Sequence, residues 1–366
     1  MAELKILLIN PFPIDQLPPP AIGYLQAVLK KLNIDVTACN LEDAYLLKDD
    51  FDIVGVSFNT FSMNQAISIR NHFKGHLICG GHHSSALPDQ MLSIGYDQVV
   101  IGEGEQSIVE IIKGNKDQII KAERVDINEL PFPDYSGLKF TGFPHGIPII
   151  SSRGCPFSCV FCGSSSFWGH KYKKRSADNV LTEIEQRKSE GYKTWIFYDD
   201  NFLVDKYRVS EICQGLDGTY IWETVARAEN LNDEICKELY RAGCRKVHLG
   251  IESLSQDALD RMGKHTTVER MLRGIEAAES NNLSTMSLFL VGMPGDTYED
   301  IKITRRERLK SKITQYGSNI VWILPNTEIY KKAKEYGFSD DSYFTGVPYF
   351  TYEHSLKELQ QWAAEI

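Results

Sequence analysis

The sequence predicts an α/β protein in two parts: a parallel sheet covered on both faces, then an open barrel of six strand–helix units. Three observations predict it. Short, near-continuous apolar runs alternate with helical stretches from the N-terminus to about residue 108, the pattern of a parallel sheet buried on both sides. A passage dense in breakers, Leu130-Pro-Phe-Pro-Asp-Tyr-Ser-Gly137, interrupts the alternation. From Ile147 the alternation resumes and repeats six times. A chain of 366 residues has room for this, at ~150 residues per domain. The expected division is a first domain over 1–108, a connector over 109–145, a barrel over 146–338 and an extension over 339–366.

In the first part the strand-like runs are Leu4–Ile9, Asp35–Cys39, Ile53–Phe58, His76–Cys79 and Gln98–Ile101, with helices at Ile22–Leu32 and Asn64–Phe73. Such a Rossmann-like (flavodoxin-like) sheet binds ligands beyond the carboxyl ends of its strands, where the strand order reverses. The loops at those ends are Asn10-Pro-Phe-Pro through Pro20, Ser57-Phe-Asn59-Thr60, Gly80-Gly81-His82-His83 and Gly102-Glu103-Gly104-Glu105. Paired glycines let a backbone approach a bulky ligand closely. In the second part strands are expected at Ile147–Ser151, Thr194–Tyr198, Ile221–Val225, Lys246–Ile251, Thr285–Val291 and Asn319–Leu324. Helices are expected at Asp178–Glu190, Asn232–Ala242 and Tyr298–Lys312. Six units make a partial (βα)6 TIM-type barrel, whose chemistry would sit at the carboxyl ends of the strands. The tail from Ser339 reads as loop plus a short helix at Ser355–Ala364.

Composition narrows the function. The chain is 42% hydrophobic and 24% charged, an ordinary globular balance. A net charge of −9 provides no global basic field to recruit nucleic acid. One basic run, His170-Lys-Tyr-Lys-Lys-Arg175, reads first as a solvated loop and second as a site for an anionic substrate. No apolar run approaches the ~20 residues of a membrane span, and the run before Asn10 is too short for a signal peptide. A cytoplasmic protein with reduced thiols is expected. Of eight cysteines, Cys39, Cys79, Cys213, Cys236 and Cys244 lack ligand spacing and suit core packing.

The other three form Cys155-Pro-Phe-Ser-Cys159-Val-Phe161-Cys162, a C-x3-C-x2-C pattern. Three thiolates on one loop can hold three irons of a 4Fe–4S cubane and leave the fourth open to a small molecule. A four-cysteine cluster built for electron transfer lacks that opening. Zinc would favour paired C-x2-C units or a nearby His, and only His170 is close. A disulfide framework needs an oxidising compartment and a small fold. From about Pro144 to Phe338 the chain resembles the radical S-adenosylmethionine (radical SAM) superfamily.

That resemblance implies that the open iron chelates the amino and carboxylate groups of SAM. One electron from the cluster then splits the sulfonium and releases a 5′-deoxyadenosyl radical. It also implies roles for strand-end residues. Phe161 would contact adenine, and Asp199, Asp200 and Asn201 would accept from the SAM amino group, a helix N-cap being the alternative for Asp200 or Asn201. Arg227, followed by Glu229, would clamp the SAM carboxylate bidentately. Leu249-Gly-Ile-Glu252-Ser253 is close to the family's G-I-E-S, with Glu252 contacting SAM, orienting Arg227 or forming a structural salt bridge. The segment Gly292-Met-Pro294-Gly295 would bind the cofactor, its glycines letting backbone pass close to adenine. Asn326 stands where relatives carry Gly in a P-G-T turn, and Asn tolerates the left-handed conformation.

The first domain's loops together resemble the cobalamin-binding domain that precedes many radical SAM domains. This implies a corrin held by Ser57, Asn59, Thr60, Gly80, Gly81, His82, Gly102, Glu103, Gly104 and Glu105. Asp15-Gln-Leu-Pro18 stands where a D-x-H-x-x-G motif would supply a cobalt-binding His, so no imidazole is expected there. The implied activity is methylation of an unactivated carbon of a small-molecule or natural-product substrate. A flavodoxin or ferredoxin would be the external one-electron donor. A non-methylating dehydratase, decarboxylase, epimerase or cyclase is the alternative, and a non-catalytic iron–sulfur redox sensor is a distant third.

Overall fold

The structure is a computed structural model that describes residues 4–12, 17–47, 50–141, 146–346 and 348–366. Two compact units emerge: residues 1–146 with Tyr343–Thr345, and residues 147–342 with 346–366.

The first unit is a parallel sheet of β1 (Lys5–Asn10), β2 (Asp35–Asn40), β3 (Ile53–Ser57), β4 (His76–Gly80), β5 (Gln98–Ile101) and β6 (Ile119–Lys121) in the order β2-β1-β3-β4-β5-β6. Ile6, Leu7, Leu8 and Ile9 of β1 are fully buried, as a central strand flanked on both edges and both faces must be. Strand order reverses between β1 and β3, which defines the switch point. The sixth strand lies in the segment expected to be connector. Three residues are too few to carry a period, yet Ile119, Ile120 and Lys121 pair in register with Val99, Val100 and Ile101. The rest of that segment is strapped to helix Pro20–Lys31: the Gln26 amide donates to the Asp134 and Ser136 carbonyls at 3.2 and 2.9 Å. Gly23 leaves room there for the Tyr135 ring.

The second unit contains β7 (Ile147–Ile149), the short strands β8 (Ser152–Arg153) and β9 (Lys173–Lys174), then β10 (Thr194–Phe197), β11 (Ile221–Ala226), β12 (Cys244–Glu252), β13 (Ser284–Val291) and β14 (Gln315–Ile320). Six of these run parallel in the order β14-β13-β12-β11-β10-β7, each beside its predecessor in the barrel series. β8 and β9 pair antiparallel and bracket the cysteine loop. Thr285, Ser287, Phe289 and Val291 of β13 are fully buried, while the alternate Met286, Leu288 and Leu290 are half-buried. One face of the sheet is therefore packed and the other partly open.

The last strand corrects the expectation of Asn319–Leu324. Gln315–Ile320 forms it instead, four residues earlier, although it is polar and largely exposed at the sheet edge. The apolar run that follows leaves the sheet: Ile323 N–H donates to the Pro348 carbonyl at 2.8 Å and Trp322 bridges to Tyr349. The tail forms helix Leu356–Glu365, started by a Ser355–Glu358 capping box, and buries Leu359 and Trp362.

Candidate functional site

The cysteine loop leaves β8 through Gly154, whose φ is +90°. A Cβ here would overlap the Lys171 carbonyl oxygen, so only glycine fits. The Gly154 N–H donates to an Asp200 carboxylate oxygen at 2.8 Å. Two backbone bonds tie the loop centre down: Val160 N–H to the Met262 carbonyl (3.0 Å), and Ile329 N–H to the Val160 carbonyl (3.3 Å). Cys162 precedes the short helix Gly163–Trp168.

Cys155, Cys159 and Cys162 are half-buried, whereas the other five cysteines are buried. Burial pushes the thiols of Cys39, Cys79, Cys213 and Cys236 up to about 12. Burial also raises Cys155, and it lifts Cys162 to about 11. Thiolate ligation there therefore needs a bound cation to hold the charge. Among the described residues no three His, Cys, Asp or Glu side chains gather around a single point as for one metal ion. A cubane carries each thiolate on a different iron, an arrangement that three cysteines on one loop can serve.

Arg227, at the carboxyl end of β11, is the hub of this end of the sheet. Its Nε donates to Glu229 Oε1 at 2.6 Å, Nη1 to Cys159 Sγ at 3.4 Å, and Nη2 to the Lys264 carbonyl. Its guanidinium carbon lies 4.0 Å from the centre of the Phe157 ring, a cation–π contact. Two groups just past the ends of β10 and β11 have unanswered polar atoms: both amide atoms of Asn201, which is 1% exposed, and Glu229 Oε2. Buried orphans of this kind are rare and call for a partner. Polar groups of a bound molecule would answer them.

Other expected residues have structural employment. Asp199 is buried, which holds its carboxyl above the ordinary range. It accepts from Ser151 N–H (2.7 Å) and from the Ser151 and Ser152 hydroxyls (2.5 and 2.6 Å). These bonds fasten the passage between β7 and β8 to the end of β10. Ser253 is buried against Thr304 at 2.9 Å. Gly292 (φ +86°) backs onto Leu359, whose Cδ1 would lie 3.0 Å from an added Cβ, so its bareness serves packing and turn geometry. Asp296 closes that turn by accepting from the Gly292 and Met293 N–H groups at 3.0 and 2.9 Å. Pro294 and Phe161 are half-buried. Asn326 takes φ +61°, the left-handed turn expected of it.

Glu252 is the one strand-end acid in a left-handed conformation, φ +66°, beside a register shift in β12. Its partner is Lys264, which sequence reasoning missed. Lys264 is 2% exposed, and its Nζ donates to the Gly250 carbonyl at 2.6 Å and to Glu252 Oε1 at 3.3 Å. Glu252 therefore pairs with Lys264 rather than with Arg227, and Lys264 links the two through its own carbonyl. The available signal was Gly263-Lys264, a turn glycine (φ +61°) delivering a lysine inward.

In the first unit the loops after β3, β4 and β5 lie at adjacent strand ends. Several polar groups there answer each other. His83 is fully buried, with Nδ1 3.1 Å from Thr60 Oγ1 and Nε2 2.9 Å from Gln90 Oε1. Asn59 accepts from Phe61 N–H, and Glu103 accepts from Val125 N–H at 3.1 Å. Glu105 is buried. Ser57, Gly80, Gly81, Gly102 and Gly104 stay half-buried, and His82 is exposed. Gly81 needs its glycine, since φ is +95° and a Cβ would meet the Phe58 backbone. Gly80 does not: an added Cβ would meet only Val100 atoms at 3.7 and 3.8 Å, ordinary contact. Bare backbone that the fold does not demand fits close approach by a flat ligand. Asp15 and Gln16 of the His-free motif lie outside the described residues.

The second unit's loop and sheet define the class. Residues 149–307 match the radical SAM superfamily, so the chain carries a radical SAM domain there. Among relatives, an uncharacterized methyltransferase of Pyrococcus horikoshii is 27% identical over 367 residues, covering 86% of this chain and 78% of its own. The bacteriochlorophyllide d C-8(2)-methyltransferase of Chlorobaculum tepidum is 26% identical over 346 residues, covering 87% and 76%. The solved radical S-adenosylmethionine methyltransferase TsrM of Kitasatospora setae, with cobalamin and a 4Fe–4S cluster bound, superposes with a TM-score of 0.73 at 18% identity, over 92% of this chain and 75% of that one. That last likeness is one of fold.

Proposed function

We propose that the chain is a cobalamin-dependent radical SAM methyltransferase acting on an unactivated carbon of a small molecule. The observation that carries this is the cluster-loop end of the second unit: three half-buried thiols beside Arg227, with Glu229 Oε2 and the Asn201 amide buried and unanswered. When bound, the cluster supplies the electron that cleaves the SAM sulfonium. Cys155, Cys159 and Cys162 hold it. Arg227 places positive charge against the Cys159 sulfur and keeps further N–H donors for a carboxylate. Glu229 Oε2 and Asn201 would take the SAM amino group, and Asp200 would hold the loop's entry at Gly154. Lys264 pairs with Glu252 and offsets its charge.

Cobalamin, when bound, supplies the methyl group. The residues that would hold it are those left bare at the strand ends, Ser57, Gly80, Gly81 and Gly102, with His82 exposed beside them. His83 would offer the cobalt no nitrogen, because both ring nitrogens have neighbours and the ring is fully buried. The methyltransferase names of both curated relatives support this reading.

The test is anaerobic reconstitution with iron, sulfide and hydroxocobalamin, followed by desalting and spectroscopy. The expected result is a retained corrin whose reduced cobalt signal lacks nitrogen triplet splitting. Triplets would point to His82 and refute the His-free geometry. A protein that cleaves SAM but retains no corrin would sink methyl transfer and leave a non-methylating radical enzyme.

A further inference from the structure

The basic run after the cysteine loop finds no job in the chemistry above. Arg175 is built into the fold: it is 1% exposed and pairs with Glu183. Lys173 and Lys174 form β9, which closes the base of the cluster loop by pairing with Ser152 and Arg153. Lys171 and Lys174 are exposed. Beside them lies an open groove of about 720 Å³, lined by Phe157, Tyr172, Lys174, Asp205, Lys206 and Tyr207 among others. The one carboxylate in its lining, Asp205, is already engaged: it pairs with Lys174 and accepts from Arg208 N–H at 3.1 Å to start helix Lys206–Gln214. Lys206 and Lys171 have no ion pair among the described residues. Tyr207 is 89% exposed. The groove thus presents uncompensated positive charge and a bare aromatic on a chain whose net charge is −9.

The groove also touches the cluster loop. Phe157, one of its lining residues, stands between Cys155 and Cys159 in sequence and lies against Arg227, which contacts the Cys159 sulfur. An electron entering here meets a short packed route, Phe157–Arg227–Cys159, and electron transfer falls off steeply with distance. We propose that this groove, with Lys206 in its lining and the exposed Lys171 next in sequence to the lining residue Tyr172, is the docking surface for a small acidic one-electron carrier protein. The inference rests on the radical SAM reading of the cluster loop. In the step it serves, the reduced carrier loses one electron and the cluster gains one. No bond forms or breaks. Charge complementarity on the rim would govern encounter rate and salt dependence, and the aromatic would supply contact area. An anionic small-molecule substrate is the competing occupant, and it predicts different behaviour.

The experiment uses Lys171→Glu/Lys206→Glu in the full chain, with purified reduced flavodoxin as the probe. Two readouts are needed. The first is the flavodoxin dissociation constant across a salt series, measured with and without the cluster. The second is SAM cleavage driven by dithionite, which needs no docking. The proposal expects affinity to fall roughly tenfold or more, with a flattened salt dependence, while dithionite-driven cleavage and iron content stay at wild-type levels. Unchanged affinity overturns it, as does a wild-type protein that fails to bind flavodoxin at low salt. Loss of dithionite-driven cleavage in a folded, iron-loaded variant overturns it in favour of a small anionic ligand. A wild-type protein that cleaves no SAM with dithionite indicts the radical SAM reading itself, and the two failures are thereby told apart.

Discussion

Both units present loops at the carboxyl ends of parallel strands, but they treat polar groups differently. At the first unit's loops several side chains find partners: Thr60 with His83, His83 with Gln90, Glu103 with the Val125 N–H. What stays available is mostly backbone. In the second unit the strand ends hold half-buried thiols, orphaned atoms on Asn201 and Glu229, and a glutamate in the left-handed region. Burying an unanswered polar atom costs on the order of 1–3 kcal/mol, so such atoms persist where a ligand completes them. On the proposed function, the contrast is between a ledge for a large flat ligand and a socket for a small, highly polar one.

The largest effect expected of that contrast is on iron. Alanine at Cys155, Cys159 or Cys162 should abolish cluster assembly, while alanine at Cys213, Cys236 or Cys244 should leave iron and sulfide content near wild type after anaerobic reconstitution. Equal iron loss in both groups would erase the distinction between loop and core thiols.

Next come the glycines. Gly154→Ala forces a left-handed alanine into the Lys171 carbonyl and should cost about 3 kcal/mol or more. Gly80→Ala meets only ordinary contacts and should change stability by less than about 0.5 kcal/mol, yet weaken corrin retention. Urea unfolding of the cluster-free protein and a corrin titration measure the two. If Gly80→Ala binds corrin normally, the ledge is not the contact surface.

Lys264→Met leaves Glu252 without its cation and should destabilise by about 2–3 kcal/mol, with Lys264→Met/Glu252→Gln recovering most of it. Chemical denaturation of the three proteins tests this, and an additive double variant would show that the pair does not interact.

The smallest effect is a pH dependence. Burial raises the Asp296 carboxyl to about 6, with the Met293 N–H and Arg261 pulling it back. The folded state therefore binds this proton more tightly than the unfolded state. The contribution is fully present below the unfolded value near 4 and is lost as pH rises through about 6. Asp296→Asn should flatten that part of the stability profile by about 2 kcal/mol. An unchanged slope between pH 4.5 and 7 (roughly the titration window) would place the carboxyl's titration elsewhere.

Much of this was legible in the sequence because strong signals are local. Five of the first unit's strands and the cysteine loop are short contiguous patterns, and Asn326 announces its turn. The rest depends on partners far apart in the chain. β6 was missed because three residues hold no period. β14 was displaced because an edge strand need not be apolar, while the apolar Val321–Leu324 buries itself against the tail. The serines that anchor Asp199 lie 47 and 48 residues away, so that contact is not legible locally. For Lys264 the turn glycine Gly263 was the one local signal, and it marks a turn without naming Glu252, twelve residues back, as the partner.

The central claim is that the second unit's socket holds a cluster with one iron open to SAM, and the most direct test is electron paramagnetic resonance of the reconstituted, dithionite-reduced protein titrated with SAM. The account predicts a 4Fe–4S signal that shifts on SAM addition and saturates. In Arg227→Ala the cluster should remain and the shift should need at least ~30-fold more SAM, the loss expected for a charged hydrogen-bonded partner. A cluster signal that SAM leaves unmoved in the wild-type protein would contradict it.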